Sequence, residues 1–178
     1  MQQQQKAYVR NITIYCDASF DPHSGAAAWA CWVKHYKMMS QIYAGTFRRL
    51  RPLNSTEAEV LGAANAVHIA LGQHALTERP LRIVLVTDCN YLVEIYNPKR
   101  KQAIIQSRNV RAATTQIANM LTQRDILLKV NKVKAHSRDD GSRSVLNGRV
   151  DAAARKLMRI QRRLGVSCQT KQSVTGSK

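Results

Sequence analysis

Five carboxylates occupy places where chemistry could use them. Asp17 closes the alternating run "ITIYCDAS" at residues 12–19, and Asp88 closes the apolar run "LRIVLVTD". Glu57 and Glu59 fall in the first turn of a helical stretch, and Asp151 in the first turn of another, "RVDAAARKLMRIQRR". Strands disfavour Asp, so two strands ending on one form a pattern. If those strands are parallel neighbours, Asp17 and Asp88 lie side by side. Clustered carboxylates repel and raise one another's pKa unless a cation sits among them. Mg²⁺ takes a few carboxylates and keeps waters or substrate phosphates as its other ligands. Two such ions about 4 Å apart clamp the attacking and leaving oxygens of a phosphoryl transfer.

Each carboxylate also has an ordinary structural use. Asp17 and Asp88 can end strands before turns. Glu59 stands three residues after Thr56 and Glu57 three after Asn54, and both spacings allow a capping box. Asp151 can complement a helix dipole. All of these holding together is the less economical reading in a chain with 11 Asp and Glu against 28 Lys and Arg. The helical pattern does not choose between Glu57 and Glu59, because both flank the apolar stripe.

The charge indicates what the site would act on. A formal net charge of +17 on 178 residues points to a polyanionic partner, nucleic acid first. Apolar residues at 44% exclude global disorder and can build one core. Cys16, Cys31, Cys89 and Cys168 form no CxxC pair, so neither a zinc site nor a disulfide framework is expected. Reduced, packed cysteines place the protein inside a cell, in the cytoplasm or wherever its nucleic acid lies, nucleoid or nucleus. No apolar run reaches the ~18 residues of a membrane span. "MQQQQKAYVR" lacks the apolar core of a signal peptide. Residues 1–10 are expected to be a flexible lead, 11–164 the catalytic domain, and 165–178 a basic disordered tail.

The elements that must hold the carboxylates follow from periodicity. Residues 12–18 read as a strand and "DPHSG" as a turn. "AAAWACWVKHY" and "SQIYAGTFRRL" read as two more strands of an antiparallel meander. "RPLNSTEAEVLGAANAVHIALGQ" is a helix with Val60, Ala63, Ala64, Val67 and Leu71 inward and Asn54, Ser55 or Thr56 as N-cap. "LRIVLVTD" suits a strand buried on both faces and parallel to a neighbour. "NYLVEIYN" predicts a short helix stopped by Pro98. A basic stretch then leads to a helix around 104–123, and "DILLKVNKVKAH" is a fifth strand. "SRDDGSRSVLNG" reads as a loop, before a last helix with Val150, Ala154, Leu157 and Met158 inward. A meander followed by alternating strands and helices implies a mixed sheet covered by helices, with its site beyond the carboxyl ends of parallel strands.

"IYCDAS", "STEAEVLGA", "IVLVTDCNYL" and "VKAHS…NGRVDAAAR" resemble, in chain order, the four motifs of type 1 ribonuclease H. The resemblance implies an α/β fold, an RNase H-like five-stranded mixed sheet of three antiparallel strands plus two parallel ones, flanked by helices. It implies a monomeric endonuclease that cuts the RNA strand of RNA–DNA hybrids with two Mg²⁺, Mn²⁺ being able to substitute, and leaves 3′-hydroxyl and 5′-phosphate ends. By that likeness Asp17 is the carboxylate bridging both metals. The family Glu lies just before an "xLxA" run, which selects Glu59 over Glu57. Asp88 and Asp151 match the remaining metal ligands. His136 matches a loop His that aids proton transfer or product release, and Asn147 an Asn of the final motif.

Asn54 and Asn90 match polar positions that touch the hybrid, where amides can read base edges or the 2′-hydroxyl; capping and turn duty is their alternative use. Ser19 and Ser55 stand beside them, and Lys99, Arg100 and Lys101 belong to the basic stretch that would hold phosphates. Several positions depart from the family pattern. Ala18 and Ala135 replace common glycines and Cys89 a common Ser. The loop from His136 to Asp151 is longer than usual and carries Asp139 and Asp140. The basic region 97–111 is short, and no separate hybrid-binding module is expected ahead of residue 11. Arg159, Arg162, Arg163, Lys171 and Lys178 would add backbone affinity or stay solvated. Other functions open on this fold are a Holliday-junction resolvase-like or transposase-like nuclease and a non-catalytic nucleic-acid binder. Loss of a carboxylate would mark the binder, and none is missing.

Overall fold

A computed structural model describes residues 11–35, 39–72, 82–96, 107–133 and 142–165. Strands β1 (Asn11–Phe20), β2 (Ala27–Lys34), β3 (Gln41–Thr46), β4 (Arg82–Thr87) and β5 (Leu127–Lys132) form one sheet in the order β3-β2-β1-β4-β5. The first three are an antiparallel meander; β4 runs parallel to β1, and β5 parallel to β4. This is the mixed α/β sheet that the motifs implied. Helices α1 (Ser55–Gly72), α2 (Asn90–Ile95), α3 (Arg108–Thr122) and α4 (Ser142–Arg163) flank it.

Alternation along β1 divides the core. Ile12, Ile14 and Cys16 pack with α1 and α3, while Tyr15 packs with Val150 and Ala154 of α4. The sheet is therefore sandwiched between two helical layers, and both faces of its central strand are dry. The expected inward residues of α1 are all buried. Gly45 allows the Trp29 indole to lie on β3, since a Cβ there would sit 2.7 Å from the ring. Cys16 and Cys31 are buried free thiols and Cys89 is half-buried. Among the described residues, no helix is long and apolar enough to cross a membrane.

Three boundaries differ from expectation. β1 continues past its expected end at residue 18 through Ser19 and Phe20, which pair with Ala28 and Ala27. The helix expected from about 104 begins at Arg108, where the Ser107 hydroxyl accepts from the Val110 N–H at 3.3 Å. α4 begins at Ser142 rather than near Arg149. Leu146, Val150 and Ala154 recur at i, i+4, i+8 and face the same apolar cluster. That packing outweighs the roughly 1 kcal/mol cost of Gly148 in a helix. Asp151 consequently lies in the third turn of α4, beyond the reach of a helix-dipole role. Residues 1–10, Asp139, Asp140, Lys171 and Lys178 lie outside the described residues.

Candidate active site

Parallel pairing brings the two strand-end aspartates together. The β1–β4 register runs to Tyr15 opposite Val86, and two residues further on in each strand stand Asp17 and Asp88. Past β4, the buried Thr87 hydroxyl accepts from the Cys89 N–H at 3.1 Å, which turns the chain and leaves Asp88 at the sheet's edge. Glu59 arrives from α1. Gly62, one turn further along that helix, lets it approach β1 closely: a Cβ there would lie 3.2 Å from Trp29 Cβ and 3.4 Å from Ala18 Cβ. Small residues at 18 and 62 thus set the distance across which Glu59 reaches Asp17.

The three carboxylates meet. One oxygen from each of Asp17, Glu59 and Asp88 lies within 4.8 Å of the others. The Ala18 N–H donates to Asp17 Oδ1 at 2.8 Å and to Glu59 Oε1 at 3.3 Å. Glu59 Oε2 is buried and has no hydrogen-bond partner among the described residues. Burial raises the Asp17 carboxyl from its usual 3.8 to about 6, and the charges of Asp88 and Asp151 push the same way against a hydrogen bond with Glu59. Burial, then the Asp17 charge, hold Glu59 well above the carboxylate range. Crowded, partly protonated oxygens with an orphan acceptor fit a bound divalent cation, which would relieve all three conditions. An all-oxygen donor set suits Mg²⁺ or Mn²⁺.

Asp151 stands beside this group, near enough to act on Asp17. Its Oδ1 lies 2.6 Å from Arg155 Nε, one turn along α4. Asn147, one turn before Asp151, is buried with an Oδ1 that finds no partner among the described residues.

Glu57 is spent elsewhere. Asn54 Oδ1 caps α1 by accepting the Glu57 N–H at 2.8 Å, and Glu57 Oε2 accepts the Leu53 N–H at 2.9 Å. Ser107 Oγ donates to Glu57 Oε1 at 2.6 Å, and Asn109 Nδ2 donates to its Oε2 at 3.0 Å. Those bonds hold the Glu57 carboxyl below its usual range, against its burial. Glu57 therefore ties the N-terminal ends of α1 and α3 together.

The RNase H family model matches residues 9–159. The chain belongs to the RNase H family. No curated protein matches it. Solved RNase H structures share its fold at low identity. The N-terminal RNase H domain of a Mycobacterium tuberculosis protein is 14% identical with a TM-score of 0.64, over 88% of this chain and 99% of that one. LC11-RNase H1, isolated from compost and solved with an RNA/DNA hybrid, is 14% identical with a TM-score of 0.60, over 84% and 97%. RNase H1 from Halobacterium salinarum is 18% identical with a TM-score of 0.58, over 84% and 98%.

The other expected site residues of this RNase H chain fall on β1, at the starts of α1 and α2, or outside the described residues. Ser19 is half-buried in β1, while Ser55 and Asn90 are exposed first residues of α1 and α2. Asn54 is exposed and serves as the α1 cap. His136, Lys99, Arg100 and Lys101 lie outside the described residues. Sequence reasoning missed Ser107, Asn109 and Thr87. Ser107 carried an N-cap signal ahead of a helical run; the Asn109–Glu57 contact spans 52 positions and left no local trace.

Proposed function

We propose that the protein is a divalent-metal-dependent endoribonuclease that cuts the RNA strand of RNA–DNA hybrids and leaves 3′-hydroxyl and 5′-phosphate ends. The observation that carries this reading is the meeting of Asp17, Glu59 and Asp88 within 4.8 Å at the carboxyl ends of parallel strands in an RNase H-family chain. The similar LC11-RNase H1 was solved with an RNA/DNA hybrid, which supports the choice of substrate. Two Mg²⁺, with Mn²⁺ as substitute, would supply Lewis acidity for the attacking water and charge neutralisation for the leaving oxygen.

The chain's own residues do the rest. Asp17 would hold the ions, with its Oδ1 oriented by the Ala18 N–H. Glu59 and Asp88 would share in holding them, and Asp151, now paired with Arg155, would join on exchanging that partner for a cation. His136 is assigned the proton movement at the leaving group. Ser19, Asn54, Ser55, Asn90 and Asn147 would contact the hybrid. Lys99, Arg100 and Lys101 would hold phosphates, so binding should weaken steeply with salt.

Labelled RNA–DNA hybrid, duplex DNA, duplex RNA and a four-way junction, each with and without Mg²⁺, test the reading together. Mg²⁺-dependent cuts confined to RNA in the hybrid are expected. Preferential cutting of the junction would replace this reading with a resolvase-like one. No cutting of any substrate in Mg²⁺ or Mn²⁺ would leave a nucleic-acid binder.

A further inference from the structure

About two turns along α1 from Glu59, a cavity of about 540 Å³ opens between the segment after β3 and helices α1 and α3. Its volume falls in the range of small-molecule sites. Leu50, Leu61 and Ala64 give it an apolar wall. Arg48, Arg49, Asn65, His68 and Gln116 also line it, and none of these five has a hydrogen-bond or ion-pair partner among the described residues. Among the described residues, no Asp or Glu lines it. Trp29 forms part of its wall, and the buried Trp29 Nε1 has no acceptor among the described residues.

Two exposed arginines alone would be a solvated surface. Here they share one concavity with the half-buried amide of Asn65 and the exposed amide of Gln116, so guanidinium and amide groups converge on one enclosed space rather than on open surface. Among the described residues the lining is cationic without a counter-charge, which suits an anion. Guanidinium forks match phosphate oxygens in bidentate fashion. Amide side chains offer a donor and an acceptor together, as the edge of a nucleobase requires. The apolar wall excludes a bare inorganic ion as the best occupant.

We propose that this cavity is a nucleotide-binding site separate from the carboxylate centre, with the phosphate on Arg48 and Arg49 and the base against Asn65 and Gln116. The nucleotide can be free or the 5′-terminal unit of a single strand, since both present the same groups. The site does not depend on the proposed cleavage activity.

The test is a binding titration in EDTA, which removes divalent ions from the carboxylates. The chain has two tryptophans, so Trp32→Phe leaves Trp29 as the sole fluorescent reporter; calorimetry on the unsubstituted protein gives the same reading if that variant folds poorly. The probes are AMP, a 5′-phosphorylated oligothymidylate and inorganic phosphate. Saturable binding of AMP or the oligonucleotide is expected, at least roughly tenfold tighter than phosphate. Tighter AMP indicates a free nucleotide, and a tighter oligonucleotide indicates a strand end; either outcome supports the site. Arg48→Ala with Arg49→Ala should weaken binding by roughly tenfold or more. Asn65→Leu should weaken it too, while leaving cleavage of a short blunt hybrid unchanged. The proposal is overturned if phosphate binds as tightly as AMP, if neither nucleotide saturates by about 10 mM, or if the arginine double variant binds normally.

Discussion

Glu57 and Glu59 stand two positions apart on α1 and serve opposite partners: Glu57 accepts from Ser107 and Asn109 at the start of α3, while Glu59 accepts from Ala18 on β1 at 3.3 Å. Their substitutions should therefore separate stability from chemistry. Glu57→Ala leaves the Leu53 N–H and the Ser107 hydroxyl without their acceptor, while Asn109 Nδ2 keeps the Arg51 carbonyl at 2.9 Å, so it should cost about 1–3 kcal/mol of stability. The remaining folded protein should still bind Mg²⁺. Glu59→Gln relieves crowding among buried carboxylates, so the metal-free protein should keep or gain stability. Metal-dependent activity should fall steeply. Urea unfolding with and without Mg²⁺ checks both halves. A stable Glu57→Ala with no activity would reverse the assignment.

The same crowding gives a pH dependence with a definite sign. Burial raises Asp17 to about 6 against an usual 3.8, so between those values the folded chain holds a proton that the unfolded chain has released. Through Asp17, stability of the metal-free protein should therefore fall as pH rises from about 4 to 6. Glu59, held well above its usual 4.5 by burial and by Asp17, adds to the fall above 4.5 and carries it beyond the Asp17 window. Divalent ions favour the charged carboxylates, so the gain in Tm on adding Mg²⁺ should be larger near pH 7.5 than near pH 5. Thermal melts across pH in EDTA and in Mg²⁺ measure this. A metal-free Tm that rises through that window would show the carboxylates are not crowded.

The meander, the parallel pair and the inward stripe of α1 were legible because each repeats a local period of two or 3.6 residues. Asp17 and Asp88 were legible because an acid closing an apolar strand breaks that period. The first turns of α4 were not. Ser142, Ser144 and Gly148 read as loop, and only packing of Leu146 and Val150 on the sheet makes that segment helical. Choosing Glu59 over Glu57 also lay beyond the helical pattern, since Glu57's partners come from α3, some fifty positions away. The resemblance selected Glu59; the hydrogen bonds supply the physical reason.

Asp17→Asn keeps the shape of the side chain and the Ala18 N–H contact while removing the charge proposed to bridge the ions. Cleavage of the hybrid should fall on the order of 10³-fold or more, the scale seen when a member of a catalytic constellation is lost. Hybrid affinity in Ca²⁺ should hold or tighten, because one negative charge facing the phosphates is gone. Cleavage assays paired with filter binding read the two effects separately. Normal cutting by this variant would remove Asp17 from the metal site.

Two glycines in helices predict opposite outcomes. A Cβ at Gly62 meets Trp29 Cβ at 3.2 Å and Ala18 Cβ at 3.4 Å, and neither atom can swing away. Gly62→Val should push α1 off β1, cost about 1–3 kcal/mol, and weaken Mg²⁺ affinity because Glu59 rides on the same turn. Gly148 in α4 meets nothing within 4 Å, so Gly148→Ala should gain roughly 0.5–1 kcal/mol from helix propensity alone. Chemical unfolding gives both stabilities, and calorimetry with Mg²⁺ gives the affinity. If Gly62→Val binds Mg²⁺ normally, close packing of α1 on β1 is not what holds Glu59 against Asp17.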